Sequence, residues 1–202
     1  MQNYGRPIVD GDCANLSIGQ GSLAASPLQV AQGMAALANG NVLPRLRLIK
    51  QIQKFNGSVI DAPPYEIRNN LSFSDEAIKQ VATGMYQVIH AGYGTGKKGA
   101  VGFTTMVGKT GTAQWIQGKE LACFGGFFPY QKPRFAYAVL YEGSKGESVS
   151  GGQKAAPIIR SFLNSISSDL ISYMKAPAVT EIKEVEIEEG SEKALKAIVV
   201  DE

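Results

Sequence analysis

The sequence predicts an α+β fold, an antiparallel sheet packed with helices. Three observations carry this. Strand-like runs at 104–116, 121–128 and 135–141 follow one another through short polar or Pro-containing turns, which favours an antiparallel meander. Helical patterns precede these runs and one follows them, instead of alternating with them as βαβ units do. At 202 residues, with 44% hydrophobic and 19% charged residues, the chain is long and apolar enough to bury a core. There are no internal repeats.

Residues 1–21 are polar and Gly-rich, with no first helix or strand expected. Ser26-Pro27-Leu28-Gln29 then reads as a helix start: Ser26 caps, Pro27 takes the first helical position, and Gln29 reaches back. Leu28, Val30, Ala31, Met34, Ala35, Leu37 and Ala38 continue the pattern, and Asn39-Gly40 stops it. The small Ala and Gly33 positions imply close packing on a sheet or another helix.

Leu46, Leu48 and Ile52 alternate with Arg45, Arg47 and Gln51, the period of a half-buried strand. Asn56-Gly57 signals a tight turn with Ser58-Val59-Ile60 as its returning arm, and Pro63-Pro64 closes the unit. Residues 41–64 are thus expected as a hairpin excursion. Ser74-Asp75-Glu76 caps a second helix whose apolar face is Ile78, Val81, Met85, Val88 and Ile89. Gly92, Gly94, Gly96 and Gly99 end it in a mobile loop carrying Lys97 and Lys98, read equally as a functional wall or a connector. In the strands, Phe124, Phe127, Phe128, Phe135 and Tyr137 read as core. After Gly151-Gly152 a final helix is expected over 153–173, with Pro157 in its first turn.

Net charge is +2, unevenly spread: eight acidic and three basic residues from Ala176 onward give −5, and the 17 basic and 10 acidic residues before it give +7. A mildly basic body suits an anionic ligand but is too weakly charged to argue for nucleic acid. Residues 176–202, rich in Glu and without aromatics, read as a disordered acidic tail. Cys13 and Cys123 form no disulfide framework and have no metal-ligand spacing, and both are expected near apolar packing. The lone His90 closes a helical pattern and reads as a helix-end residue. No signal peptide or membrane-length apolar run is present.

Chemistry concentrates in Val107-Gly108-Lys109-Thr110-Gly111-Thr112-Ala113-Gln114. Gly111 inside a strand marks a close approach by a ligand or another backbone. Lys109 adds a positive charge, and Thr110 and Thr112 add hydroxyls, so an anionic, peptide-like ligand docked on a sheet edge fits. A phosphate-binding loop fits less well. G-x-x-x-x-G-K-[ST] needs Gly at 103, where Phe103 stands, and a helix from the lysine, where a strand is expected.

Lys109-Thr110-Gly111 is also an element of the serine acyl-transferase set of penicillin-binding proteins. Its surroundings resemble the class B penicillin-binding proteins, in particular the rod-elongation peptidoglycan D,D-transpeptidases. The resemblance runs through Gly11-Asp12, Asn15-Leu-Ser-Ile-Gly-Gln-Gly21, Ser26-Pro-Leu-Gln-Val-Ala31 and Asn39-Gly40. It continues with Gly94-Thr95-Gly96, the Lys109 strand, Phe124-Gly-Gly-Phe-Phe-Pro129 and Gly151-Gly-Gln-Lys-Ala-Ala-Pro157, all in the family's order.

The resemblance implies a β-lactamase/transpeptidase-like fold. It also implies a serine enzyme that cross-links D-Ala-D-Ala stem peptides through an acyl intermediate, takes β-lactams as mimics and uses no cofactor. By the same resemblance Lys109 would bias the site's electrostatics, and Thr110 and Thr112 would hold the substrate carboxylate. Gly111 would leave room for the substrate. The Thr112 N–H would supply one half of an oxyanion hole, a donor worth about 3–4 kcal/mol in kcat.

Two of the family's elements are missing. No Ser-x-x-Lys precedes Lys109; the match Ser172-Tyr-Met-Lys175 lies after it, in the wrong order, and Ser-x-Asn is absent. The expectation is therefore a C-terminal portion of the transpeptidase domain over 1–175, incomplete and without its nucleophile. The resemblance places it outside the cytoplasmic membrane, anchored by a segment not in this chain, with cell-wall elongation proteins as partners of the whole protein. A non-catalytic paralogue that binds peptidoglycan peptides or a cell-wall-synthesis partner stays open beside it.

Overall fold

The computed structural model describes residues 7–21 and 24–175, and the chain divides into two compact units, 1–165 and 166–202. Within the first, strands β5 (Val107–Gln114), β6 (Glu120–Phe128) and β7 (Phe135–Glu142) form a three-stranded sheet in that order, antiparallel throughout. The two pairings run without a register shift, Val107 opposite Phe127 to Gln114 opposite Glu120, and Leu121 opposite Glu142 to Phe128 opposite Phe135. The predicted meander is present, and its register decides which side chains share a face.

One face, with Val107 and Phe127, packs on helices α2 (Pro27–Ala38) and α3 (Asp75–His90) through Met34, Leu37, Ala82 and Met85. The opposite face carries Phe124 and Tyr137, whose rings meet edge-on at 5.5 Å. Helix α4 (Ala156–Ser165) buries Ile159 and Leu163. Phe124, Phe127, Phe128 and Tyr137 are buried, and Phe135 stacks on Phe128 at 5.1 Å, so the aromatic run is core as expected.

The caps explain why these helices start where they do. Ser26 Oγ accepts from the Gln29 N–H at 3.3 Å while Gln29 Oε1 accepts from the Ser26 N–H at 2.8 Å. Ser74 Oγ accepts from the Ala77 N–H, and Asp75 and Glu76 sit in the first turn of α3. Close packing of α2 is met at Gly125, where an added Cβ would stand 3.3 Å from Val30 Cγ1. Helix α2 also buries Gln32, a polar residue. Its amide donates to the Pro44 carbonyl at 2.6 Å and accepts from Arg68, while Leu28 is left exposed. On α3, Val81 is likewise exposed.

Several expectations are corrected. Residues 10–17 form a short helix, α1, where no element was expected: the Asp12 carboxylate accepts from the Val9 N–H at 3.0 Å, which closes its first turn. It buries no side chain, so Cys13 is exposed and not near apolar packing. Of the alternating stretch at 45–52 only Ile52 lies in a strand, and Leu48 is fully exposed, because no sheet face lies there to receive it.

Two nested ribbons occupy the excursion. Strand β1 (Val42–Pro44) pairs with β4 (Ile67–Asn70), and inside them β2 (Ile52–Gln53) pairs with β3 (Val59–Asp61) around Asn56-Gly57. Gly57 sits at φ +83, as that turn requires. The ribbon thus runs past Pro64 to Asn70.

The final helix is broken into pieces: a π-helical turn (Gly151–Ala155), α4, and α5 (Ser167–Lys175) in the second unit. Ser165 Oγ donates to the Phe162 carbonyl at 2.7 Å at the C-terminal end of α4. The acidic stretch 176–202 lies outside the described residues.

Candidate active site

Among the described residues β5 is paired on one flank only, by β6, so its other flank is an open edge. Alternation decides what faces that edge. In an antiparallel strand a residue's N–H and C=O point the same way. The Thr110 carbonyl accepts from Lys109 Nζ at 2.6 Å and the Thr112 carbonyl from Gln20 Nε2 at 3.4 Å, so both carbonyls look away from β6. The N–H groups of Thr110 and Thr112 therefore face the same open edge.

Beside this edge lies a cavity of about 450 Å³ lined by Gly94, Thr95, Lys97 and Lys98, by Thr110 to Thr112, and by Ser150 to Gln153. Its described lining contains two lysines and no acidic residue. Three of the four predicted site residues, Thr110, Gly111 and Thr112, are together on its wall. Lys109 is exposed and its ammonium folds back onto its own strand. Thr110 is buried, with its hydroxyl 2.7 Å from that of Thr95.

Glycines shape the wall by what they exclude. An added Cβ on Gly111 would stand 3.6 Å from Cys123 Cβ, an ordinary contact, so this chain's own atoms do not require glycine there. Gly151 is the constrained one: its Cβ would fall 2.2 Å from the Cys123 carbonyl oxygen and 2.9 Å from the Gly111 nitrogen. The π-helical turn can lie on β5 only because Gly151 has no side chain.

The loop after α3 is packed rather than open. The Gly96 N–H donates to the Val88 carbonyl at 2.8 Å, and added Cβ atoms on Gly96 and Gly99 would stand 3.0 and 2.6 Å from the Phe124 ring. Of its two readings, wall and connector, the geometry supports the wall. Lys97 Nζ donates to the Gly92 carbonyl at 2.6 Å, which ties the loop to itself.

The far side of the cavity is held by charge. Lys154 Nζ lies 2.7 Å from Glu147 Oε1, and the same carboxylate accepts from the Ser144 N–H at 2.9 Å. The Lys154 hydrogen bond first, and the Ser144 N–H next, hold the Glu147 carboxyl below the usual carboxylate range; the Lys154 ammonium is raised in return. The Val149 N–H donates to Glu120 at 3.0 Å, so the segment delivering Ser150 and Gly151 is anchored twice. Cys123, half-buried opposite Gly111, has its thiol pushed up by burial.

His90 ends α3 as expected. Its Nε2 donates to the Met106 carbonyl at 2.9 Å and its ring stacks on Tyr86, away from the cavity lining. Ser172 and Lys175 lie on α5 in the second unit, whereas the cavity is formed within the first. Among the described residues no group of three or more His, Cys, Asp or Glu is arranged to hold a metal. Sequence reasoning quoted Thr95 and Gly151 within motifs but assigned them no role; a Gly on each side of Thr95 was the available signal.

Comparison with known proteins agrees with this geometry. Residues 2–164 match the family described as the penicillin binding protein transpeptidase domain. The chain is 33% identical over 186 residues to the peptidoglycan D,D-transpeptidase MrdA of Haemophilus influenzae, covering 81% of this chain and 27% of that protein. With MrdA of Acinetobacter baumannii it shares 34% over 166 residues, 73% of this chain and 24% of that one.

Among solved structures, penicillin-binding protein 2 of Pseudomonas aeruginosa superposes with a TM-score of 0.62 at 32% identity, over 80% of this chain and 34% of that one. Penicillin-binding protein A of Mycobacterium tuberculosis, solved as its imipenem acyl-enzyme complex, gives 0.62 at 26%, over 76% and 33%. The fold is therefore the β-lactamase/transpeptidase-like one, and the chain spans about a quarter of the length of the curated relatives it matches. An open-edged strand carrying Lys109-Thr110-Gly111-Thr112, in this fold and with these relatives, makes the chain a member of the penicillin-binding protein transpeptidase domain family.

Proposed function

We propose that this chain is the substrate-strand portion of a class B peptidoglycan D,D-transpeptidase. Its edge β5 receives the extended D-Ala-D-Ala end of a stem peptide, and β-lactams as mimics of it. The single observation that supports this most is the outward edge of Thr110 and Thr112 beside a cavity lined by lysines and hydroxyls. An extended peptide adding to β5 would gain main-chain hydrogen bonds, and its terminal carboxylate would meet the Thr110 and Thr112 hydroxyls. The outward N–H of Thr112 is placed to receive a carbonyl oxygen on which negative charge develops, as one half of an oxyanion hole. Gly111 keeps β5 low beneath the peptide, and Lys109 contributes positive potential at the edge.

The nucleophile and its Ser-x-Asn partner would come from sequence outside these 202 residues, since neither motif precedes Lys109. Residues 1–175 would then be the C-terminal portion of the catalytic domain, with the paired ribbons at 42–70 as an excursion from it. The whole protein would act on the outer face of the cytoplasmic membrane beside cell-wall elongation proteins. No described helix is long and apolar enough to cross a membrane.

Two measurements test the reading. An acetylated Lys-D-Ala-D-Ala tripeptide titrated into the ¹⁵N-labelled chain should shift the amides of Thr110, Gly111 and Thr112. Incubation with benzylpenicillin should leave the intact mass unchanged. A stoichiometric penicillin adduct would overturn the assignment of the nucleophile elsewhere and make Ser172 the first suspect. Absence of tripeptide shifts at β5 would overturn the substrate-strand assignment.

A further inference from the structure

We propose that Thr95 is a positioning residue that sets the direction of the Thr110 hydroxyl and so makes the site select a carboxylate over a neutral peptide end. The inference rests on the assignment of β5 as the substrate strand and adds a residue to it. Thr95 Oγ1 and Thr110 Oγ1 are 2.7 Å apart, a full hydroxyl–hydroxyl hydrogen bond in which either atom can donate. A carboxylate accepts only, so a Thr110 hydroxyl serving it must donate to the ligand. The proton in the Thr95–Thr110 bond must then come from Thr95. With Thr95 donating, Thr110 has its oxygen occupied and its own O–H aimed outward, and each bond polarises the next.

Thr95 is held firmly enough to do this. It lies between Gly94, where an added Cβ would stand 2.4 Å from the Val88 carbonyl oxygen, and Gly96, which is seated on the Phe124 ring. On its other side the backbone of Gly152 comes so close that an added Cβ would fall 2.1 Å from the Thr95 carbonyl oxygen. Three glycines without room for a side chain thus bracket one hydroxyl. A loop serving only as a connector would not need such a fit. Thr110 in turn is fixed by β6, where it stands opposite Phe124.

The test titrates the full chain with acetylated Lys-D-Ala-D-Ala and, separately, with its C-terminal amide. Wild-type protein should favour the carboxylate. Thr95→Val, which keeps the shape and removes the hydroxyl, should weaken carboxylate binding about fivefold and leave the amide within about twofold. Thr95→Ser should restore the wild-type preference. In a Thr110→Val background, Thr95→Val should add no further loss, because Thr95 acts through Thr110.

An undiminished carboxylate preference in Thr95→Val overturns the inference. So does an equal loss for both peptides that Thr95→Ser fails to rescue, which would make Thr95 a packing residue only. If Thr95→Val does not fold, Thr95→Ser decides by itself: a carboxylate preference below wild type overturns the inference. Wild-type protein binding neither peptide would instead remove the substrate-strand assignment, an outcome read before any variant is made.

Discussion

Gly111 and Gly151 lie on the same wall and answer to different masters. Gly151 is fixed by the chain itself, since its Cβ would strike the Cys123 carbonyl at 2.2 Å. Gly151→Ala should cost about 1–3 kcal/mol, read as a lower urea midpoint, because backbone rather than a flexible side-chain end must move. Gly111→Ala meets only ordinary contacts and should unfold close to the wild-type midpoint while losing tripeptide-induced shifts. The reverse ranking would mean that Gly111 serves packing rather than a ligand.

Glu147 makes a pH prediction at the same scale. Its carboxyl is held below the ordinary 4.5 by Lys154, so its contribution is complete at neutral pH. That contribution is lost as pH falls below about 4.5 and through the lower folded value. Between pH 6 and 3 the melting temperature of Glu147→Gln should fall less steeply than that of wild type. Parallel curves would show that the Lys154 pair adds nothing.

Elements differ in how much of themselves they print in the sequence. Helices α2 and α3 were legible because their starts are local chemistry: a cap, a proline, a reaching Gln, two carboxylates. Ser26→Ala should cost about 1 kcal/mol by losing the Oγ half of that box while the backbone N–H half remains, read by chemical denaturation. The meander was legible from alternation and turns, and the β2–β3 hairpin from Asn56-Gly57. Alternation alone misled at 45–51, because a period-2 pattern makes a strand only where a partner strand and a face exist.

Strand β4 was missed for the opposite reason: Ile67 is the one strand-favouring residue in Ile67-Arg68-Asn69-Asn70, and the strand exists by pairing with β1. The glycine loop was legible as glycine but not as packing, since the Phe124 ring it sits on is distant in sequence. Of the site, the strand was legible because its motif is contiguous. Thr95 and the π-helical turn were not, because they reach β5 only through the fold.

At the scale of the molecule, the open edge extends to both sides of the sheet: β7, like β5, has one neighbour among the described strands. Exposed apolar side chains are spread over the described surface, including Leu48, Phe55, Ile158 and Phe162. Edges and apolar surface of this kind invite a partner. The isolated chain should therefore bind ANS at this surface. A chain that unfolds cooperatively and binds no ANS would favour the paralogue that works as a self-sufficient binding module.

Because β5 is bonded on one flank, its amides fall into two interleaved sets. Those of Lys109, Gly111 and Ala113 point into the ladder with β6, and those of Thr110 and Thr112 point out. In deuterated solvent the first set should exchange slowly and the second quickly, an every-other-residue pattern within one strand. A bound extended peptide would slow only the fast set, so site occupancy would register as the disappearance of that alternation. The strand thus carries its own internal reference, with the protected amides reporting global opening and their neighbours reporting the ligand.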